Sequence, residues 1–571
     1  MFFTYLLTVL LISFYNVDSS VIKKRADTSD YYDTDLCDSP IYCHGELLET
    51  IQLSQIFNDS KSFVDLYQKH DPSVTLANFE KLMVENDRKP SRDQLRTFIN
   101  DNFERSKEIM PWTPPDMYMY PPILERIADR DFRDWLTDLN YIWKTLARQM
   151  SPKVLDNPTR HSFIPVEHGF IVPGGRFEES YYWDSYWTIE GLLLCGMHET
   201  AKGILLNFFS MIQRYGFIPN GGRVYYLMRS QPPLLIAMVE KYIEATNDVE
   251  FLVDNLHLLE KEFAFFQREK TVDVHKNGKI YRMARYFVKS LGPRPESYRE
   301  DYMSAQYFKT DEEKQTFYDE MKAGAESGWD FSSRWFINNH NDAAGNLTDI
   351  STRNIIPVDL NAFLQRNARK LSKFNEYLEN TFKAKQYKEI AVRYQEAINE
   401  VLWNEEAGIW FDYDLKNQKP RKSFFPTNLT PLYTKSFDKS KSSIYASRAV
   451  EYLKTQGIGG FLGGVPTSLN PSGQQWDAPN AWPPLQSIIV QGLYNTQCEP
   501  ALTAAEELAT RWTRSNYIGY KHYNQMFEKY DAAKPGEFGG GGEYPVQEGF
   551  GWTNGVVFEF LDMYPNMTVS D

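Results

Sequence analysis

Apolar residues spaced three and four apart constrain this chain more than any other feature. Phe132, Trp135, Leu136, Leu139, Ile142, Trp143 and Leu146 form the stripe of an amphipathic helix. Leu234 to Tyr242, Phe251 to Phe266, Tyr377 to Trp403 and Ala501 to Trp512 read the same way, and strand-like alternation is scarce. With 42% hydrophobic residues and a mean hydropathy of -0.51, the composition is that of a soluble globular protein. At roughly 150 residues per domain, 571 residues suggest three or four domains. No charge run or Pro/Ser-rich linker divides the chain, however, and no fixed-period repeat marks a solenoid. One large α-helical domain is expected over residues 37–571.

Between the stripes lie long irregular segments, which in compact domains are mostly functional. The one from Pro173 to Trp187 holds two glycines, then a guanidinium, three carboxylates and six aromatic rings within twelve residues. Aromatic faces beside fixed charges suit a polar, ring-shaped ligand: sugar C–H faces lie on rings while hydroxyls seek Arg and carboxylate partners. Composition alone leaves a solvated loop with an aromatic anchor equally open. Gln474 to Pro484, with Trp476, Asp477 and Trp482, is a second stretch of this kind.

These two stretches carry a family resemblance. Pro173 to Trp187 resembles the first signature of the family 37 glycoside hydrolases, the trehalases, and Gln475 to Pro484 resembles the second, in order and roughly three hundred residues apart. The resemblance extends from about Cys37 to about Tyr564. It implies an all-α (α/α)6 toroid, six outer and six inner helices with long active-site loops at one end. It also implies inverting hydrolysis of α,α-trehalose to two glucose molecules.

Glycoside hydrolysis needs one carboxylic acid to protonate the leaving oxygen and one carboxylate to activate water or attack. Asp330, in Glu326 to Trp335, stands between Trp329 and Phe331, neighbours able to desolvate it and hold it protonated. It matches the family's catalytic acid. Glu528 matches the base, and Glu543, directly after the glycines 539–542, matches a substrate-contacting carboxylate. That glycine run permits either a flexible lid or close backbone approach to a ligand. The resemblance further implies sugar binding by Arg176, Trp183, Asp184, Asn220, Arg229, Ser230, Gln231, Arg294, Glu296 and Gly328. Guanidinium forks among them are expected to bond sugar hydroxyls in pairs. Trp476, Asp477 and Trp482 are expected to line or support the site without a catalytic role. Another α-glucosidase on the same toroid, or a noncatalytic trehalose-binding protein, remains an alternative.

A balance of 62 Lys and Arg against 76 Asp and Glu gives a net charge of -14, which argues against a nucleic-acid partner. The nine histidines form no His-x-x-x-His pair, and phosphate and dinucleotide loops are absent. No cofactor or metal is expected; the resemblance implies trehalose and water as partners, and no membrane partner is expected after signal cleavage. The apolar run from Phe2 to Tyr15 reads as a signal peptide over residues 1–20, an uncleaved anchor being the alternative. Residues 21–36 are expected to be disordered, with Lys23-Lys-Arg25 either a processing site or part of a solvated tail. A secreted, extracellular glycoprotein is therefore expected, with sequons at Asn58, Asn346, Asn428 and Asn566. Cys37 and Cys43 are expected to pair and Cys195 to be a buried thiol; whether Cys195 meets Cys498 is open.

Overall fold

The computed structural model describes residues 36–105, 108–338 and 343–570. The expected signal peptide and residues 21–35 of the expected disordered segment lie outside the described residues. Twelve helices among the described residues form two concentric rings. The outer ring comprises α1 (Arg130–Leu146), α3 (His198–Tyr215), α5 (Val249–Glu269), α7 (Thr381–Ala397), α9 (Ser442–Thr455) and α11 (Ala501–Tyr523). The inner ring comprises α2 (Asp184–Leu194), α4 (Leu235–Thr246), α6 (Val358–Tyr377), α8 (Thr430–Tyr433, preceded by a 3-10 turn), α10 (Pro483–Tyr494) and α12 (Gly551–Met563). Each inner helix packs on the next, and α12 returns to α2, closing the (α/α)6 toroid. Strands are short; the longest pair, Thr271–Lys276 with Lys279–Ala284, is an antiparallel hairpin placing Thr271 opposite Ala284.

Local chemistry sets these elements. Asp129 caps α1, its carboxylate accepting from the Asp131 and Phe132 amides, and Asp248 caps α5 through the Phe251 amide. The α1 stripe is buried as its spacing predicts, except that Ile142 is only half-buried. The stretch Tyr377 to Trp403 is not one helix: α6 ends at Tyr377, and Asn380 caps a new one through the Lys383 amide. Among the inner helices that periodicity did not mark are α2, α10 and α12. They are buried almost all round, so they carry no polar face and no amphipathic stripe. Close approach of α12 to α2 is glycine-made: a Cβ on Gly555 of α12 would lie 2.0 Å from the Trp187 carbonyl oxygen of α2.

A second, smaller core spans Ile41 to Phe103 and packs on Tyr181, Tyr225 and Tyr226 of the toroid. At its start Cys37 and Cys43 form a disulfide, Cα–Cα 6.1 Å. Cys195, buried, and Cys498 are free thiols. No helix among the described residues is long and apolar enough to cross a membrane.

Candidate active site

Every inner helix is entered by a loop at the same end of the toroid, and five of these loops converge on one cleft. Trp183 and Asp184 open α2; Asn220, Arg229 and Gln231 precede α4; Gly328 and Asp330 precede α6; Trp476 and Trp482 precede α10; Glu528 and Glu543 precede α12. The cleft's empty volume, mouth included, is about 740 Å³. Arg176, Arg294 and Glu296 complete the wall. Ser230 is not part of the lining: it is fully buried, its hydroxyl donating to the Ile218 carbonyl at 2.7 Å and its amide to Glu326 at 3.0 Å. The stretch Pro173–Trp187 is no solvated loop, since Glu179, Tyr182, Trp183 and Asp184 are all buried.

Asp330 is held by its loop. The second stretch grips that loop from behind: the Gln475 side-chain amide donates to the Asp330 carbonyl at 2.5 Å, and the Trp476 amide to the Phe331 carbonyl at 3.0 Å. Asp477, wholly buried, accepts from the Ser333 amide at 2.7 Å and from the hydroxyls of Ser332, Ser333, Ser468 and Ser472. Gly328 stands at φ +78°, and a Cβ there would meet the Trp183 indole at 2.7 Å, so glycine is required. Burial pushes the Asp330 carboxyl up to about 7; the Arg294 charge opposes this and the Glu543 charge adds to it. Asp184 is pushed up to about 8, chiefly by burial, with the charges of Glu528 and Asp330 adding.

Glu528 has a different environment. Burial raises its carboxyl as well, but the Lys529 ammonium, the Tyr544 hydroxyl, the Gln547 backbone contact and the Arg176 guanidinium all pull the other way. Tyr544 donates to Oε1 at 2.9 Å, while Oε2 has no hydrogen-bond partner among the described residues. The Trp552 indole N–H fixes the backbone by donating to the Glu528 carbonyl at 3.0 Å.

The guanidinium forks are less free than sugar binding alone requires. Arg294 is clamped by Asp301 through Nε at 2.9 Å and Nη2 at 2.7 Å, and Nη2 also reaches Glu543 at 3.1 Å. Arg229 donates to Asn220 and to Glu296, each at 2.7 Å. These arginines position carboxylates as well as line the wall, because a buried guanidinium needs charge partners. Arg176 pairs with Asp59 at 2.6 Å and lies 4.9 Å from the Tyr544 ring centroid. Gln231 accepts from the Trp183 amide at 3.0 Å. The glycine run is tied down by Asn480, which donates to the Gly540 carbonyl at 2.7 Å and accepts from its amide at 2.9 Å.

Sequence reasoning missed Tyr544, Lys529 and Lys61. Tyr544 follows Glu543 directly, and an aromatic beside a motif carboxylate was the available signal. Lys61 lines the cleft from the small core and donates to Glu179 at 3.1 Å; nothing in its own stretch marks it.

The profile of the Trehalase family matches residues 55–565. A trehalase of Pimpla hypochondriaca is 60% identical over 538 residues, 94% of this chain and 92% of that protein. A human trehalase is 46% identical over 94% of this chain and 91% of that one. Among solved structures, a neutral trehalase of Saccharomyces cerevisiae is similar with a TM-score of 0.55 at 25% identity, over 70% of this chain and 74% of that chain.

Proposed function

Because the chain belongs to the trehalase family, we infer that it hydrolyses trehalose to two glucose molecules, with Asp330 as general acid and Glu528 as general base. The observation that carries the residue assignment is the contrast between two carboxyls facing one cleft. Asp330, at about 7, holds a proton near neutrality and gives it to the bridging oxygen as the bond breaks. Glu528 is also raised by burial, but Lys529, Tyr544 and Arg176 draw it back toward the carboxylate, and in that form it takes a proton from water through its unpartnered Oε2. The resulting hydroxide character attacks the anomeric carbon from the opposite face, which inverts that ring and leaves the departing ring unchanged. Glu528 gains one proton and Asp330 loses one, and exchange with solvent restores both. Arg229 and Arg294 orient the neutral sugar with their remaining N–H donors, and the rings of Trp183 and Tyr226 offer faces to its C–H groups. The signal-peptide-like apolar run from Phe2 to Tyr15 supports an extracellular site of action on a freely diffusing disaccharide.

Proton NMR of the first minutes of reaction tests this. Equal initial α- and β-glucose is expected, since one ring is inverted and one is not. Release of α-glucose alone overturns the water-activating role of Glu528, and absence of glucose from folded protein overturns the activity.

A further inference from the structure

The inner helices enter at the sugar cleft, and their C-terminal halves surround a second cavity at the other end of the bore. All six contribute to its wall, and its empty volume, mouth included, is about 980 Å³. Its chemistry is not that of a closed structural plug. Arg366, on α6, is only 7% exposed, yet its Nε and Nη2 have no hydrogen-bond partner among the described residues. Its guanidinium rests 5.4 Å from the centroid of the Tyr433 ring. One turn along the same face, Arg369 donates to the Thr434 carbonyl but leaves its own Nε unpartnered. Across the cavity Glu190, 7% exposed, accepts from Lys241 at 2.6 Å through Oε1, while Oε2 has no partner. A buried guanidinium and a buried carboxylate oxygen left without partners are costly.

The charges decide what class of molecule satisfies them. A small anion answers the arginines but faces Glu190 and the partial negative charge of the inner-helix C-termini. A cation answers Glu190 and is repelled by Arg366 and Arg369. Of the other charged wall residues, Lys241 pairs with Glu190, Lys370 with Glu240 and Asp562 with Arg126, while Glu244, Lys435 and Glu559 add charge of both signs. A hydroxyl both donates and accepts, and Tyr186, Tyr433 and Tyr494 in the wall offer ring faces to C–H groups. We propose that this cavity is a second binding site, for a neutral polyhydroxylated ligand of mono- to disaccharide size, at the opposite end of the toroid from the cleft.

Hydrogen exchange of the full-length protein with about 100 mM glucose, saturating for a millimolar site, tests the proposal. Slowed exchange is expected both in the cleft segment 538–550 and in the cavity segments 430–436 and 559–564. In Arg366→Gln the cavity protection should be lost, while the cleft protection and kcat/KM for trehalose stay within about twofold. Arg369→Gln, at the half-buried rim, gives the same readout if Arg366→Gln fails to fold. Cleft protection without cavity protection in the wild type overturns the proposal, as does cavity protection that survives in both variants. Protection of the cavity by inorganic phosphate but not by glucose overturns the neutral-ligand assignment.

Discussion

At the scale of single residues, the candidate site is two carboxyls whose surroundings differ. Asp330→Asn and Glu528→Gln are each expected to lower kcat by roughly 10²–10⁴-fold, with substrate still bound; steady-state kinetics with a direct binding measurement checks both. With Asp330 as the proposed acid, activity should fall as pH rises through about 7. With Glu528 as the proposed base, activity should also fall as pH drops through a value above the ordinary Glu range. A bell-shaped profile of kcat/KM is expected. Tyr544→Phe removes a donor that favours the Glu528 carboxylate, so the acidic limb should move to higher pH while the basic limb stays. An unmoved acidic limb would mean that Glu528 is not the group titrating there. Both carboxyls were legible in the sequence through their motifs. Tyr544 stood beside the motif carboxylate Glu543, but its contact with Glu528 depends on an oxygen sixteen residues away and could not be read there.

At the scale of elements, the second signature works as a clamp on the acid loop, not as sugar-contacting surface alone. Asp477 gathers five donors from the Ser332–Ser333, Ser468 and Ser472 segments. Asp477→Asn replaces an acceptor by a donor and strands several of them, so a loss of about 2–4 kcal/mol in stability is expected. Denaturant unfolding measures it, and activity should fall with it because the loop carries Asp330. Of the outer helices, α3 and α9 were not marked, while α1, α5, α7 and α11 announced themselves by their stripes, since one face meets solvent. The inner helices α2, α10 and α12 did not, since burial on all sides removes the polar half of the pattern.

At the scale of the whole molecule, the small N-terminal core closes one side of the cleft, bringing Lys61 to the wall and Asp59 to Arg176. Packing at this scale also sorts the sequons. Asn58, Asn346 and Asn566 are exposed, but Asn428 is 1% exposed and donates to Tyr452 and to the Ser423 carbonyl. A glycan at Asn428 cannot be accommodated in this fold. Glycopeptide mapping of protein expressed through a eukaryotic secretory pathway should find Asn428 unmodified, and occupancy there in folded, active protein would contradict this packing.

The sequence by itself determined the helical class, the carboxyls and arginines of the cleft, and the pairing of Cys37 with Cys43, because each is written in local spacing or in a contiguous motif. Tertiary structure alone decided which helices face inward, that Arg229 and Arg294 are clamped by Glu296, Asp301 and Glu543, that Ser230 lies behind the wall, and that Asn428 is inaccessible. It also formed the cavity around Arg366. These depend on burial and on partners far apart in the chain, and burial is a property of the packed toroid that no single stretch contains.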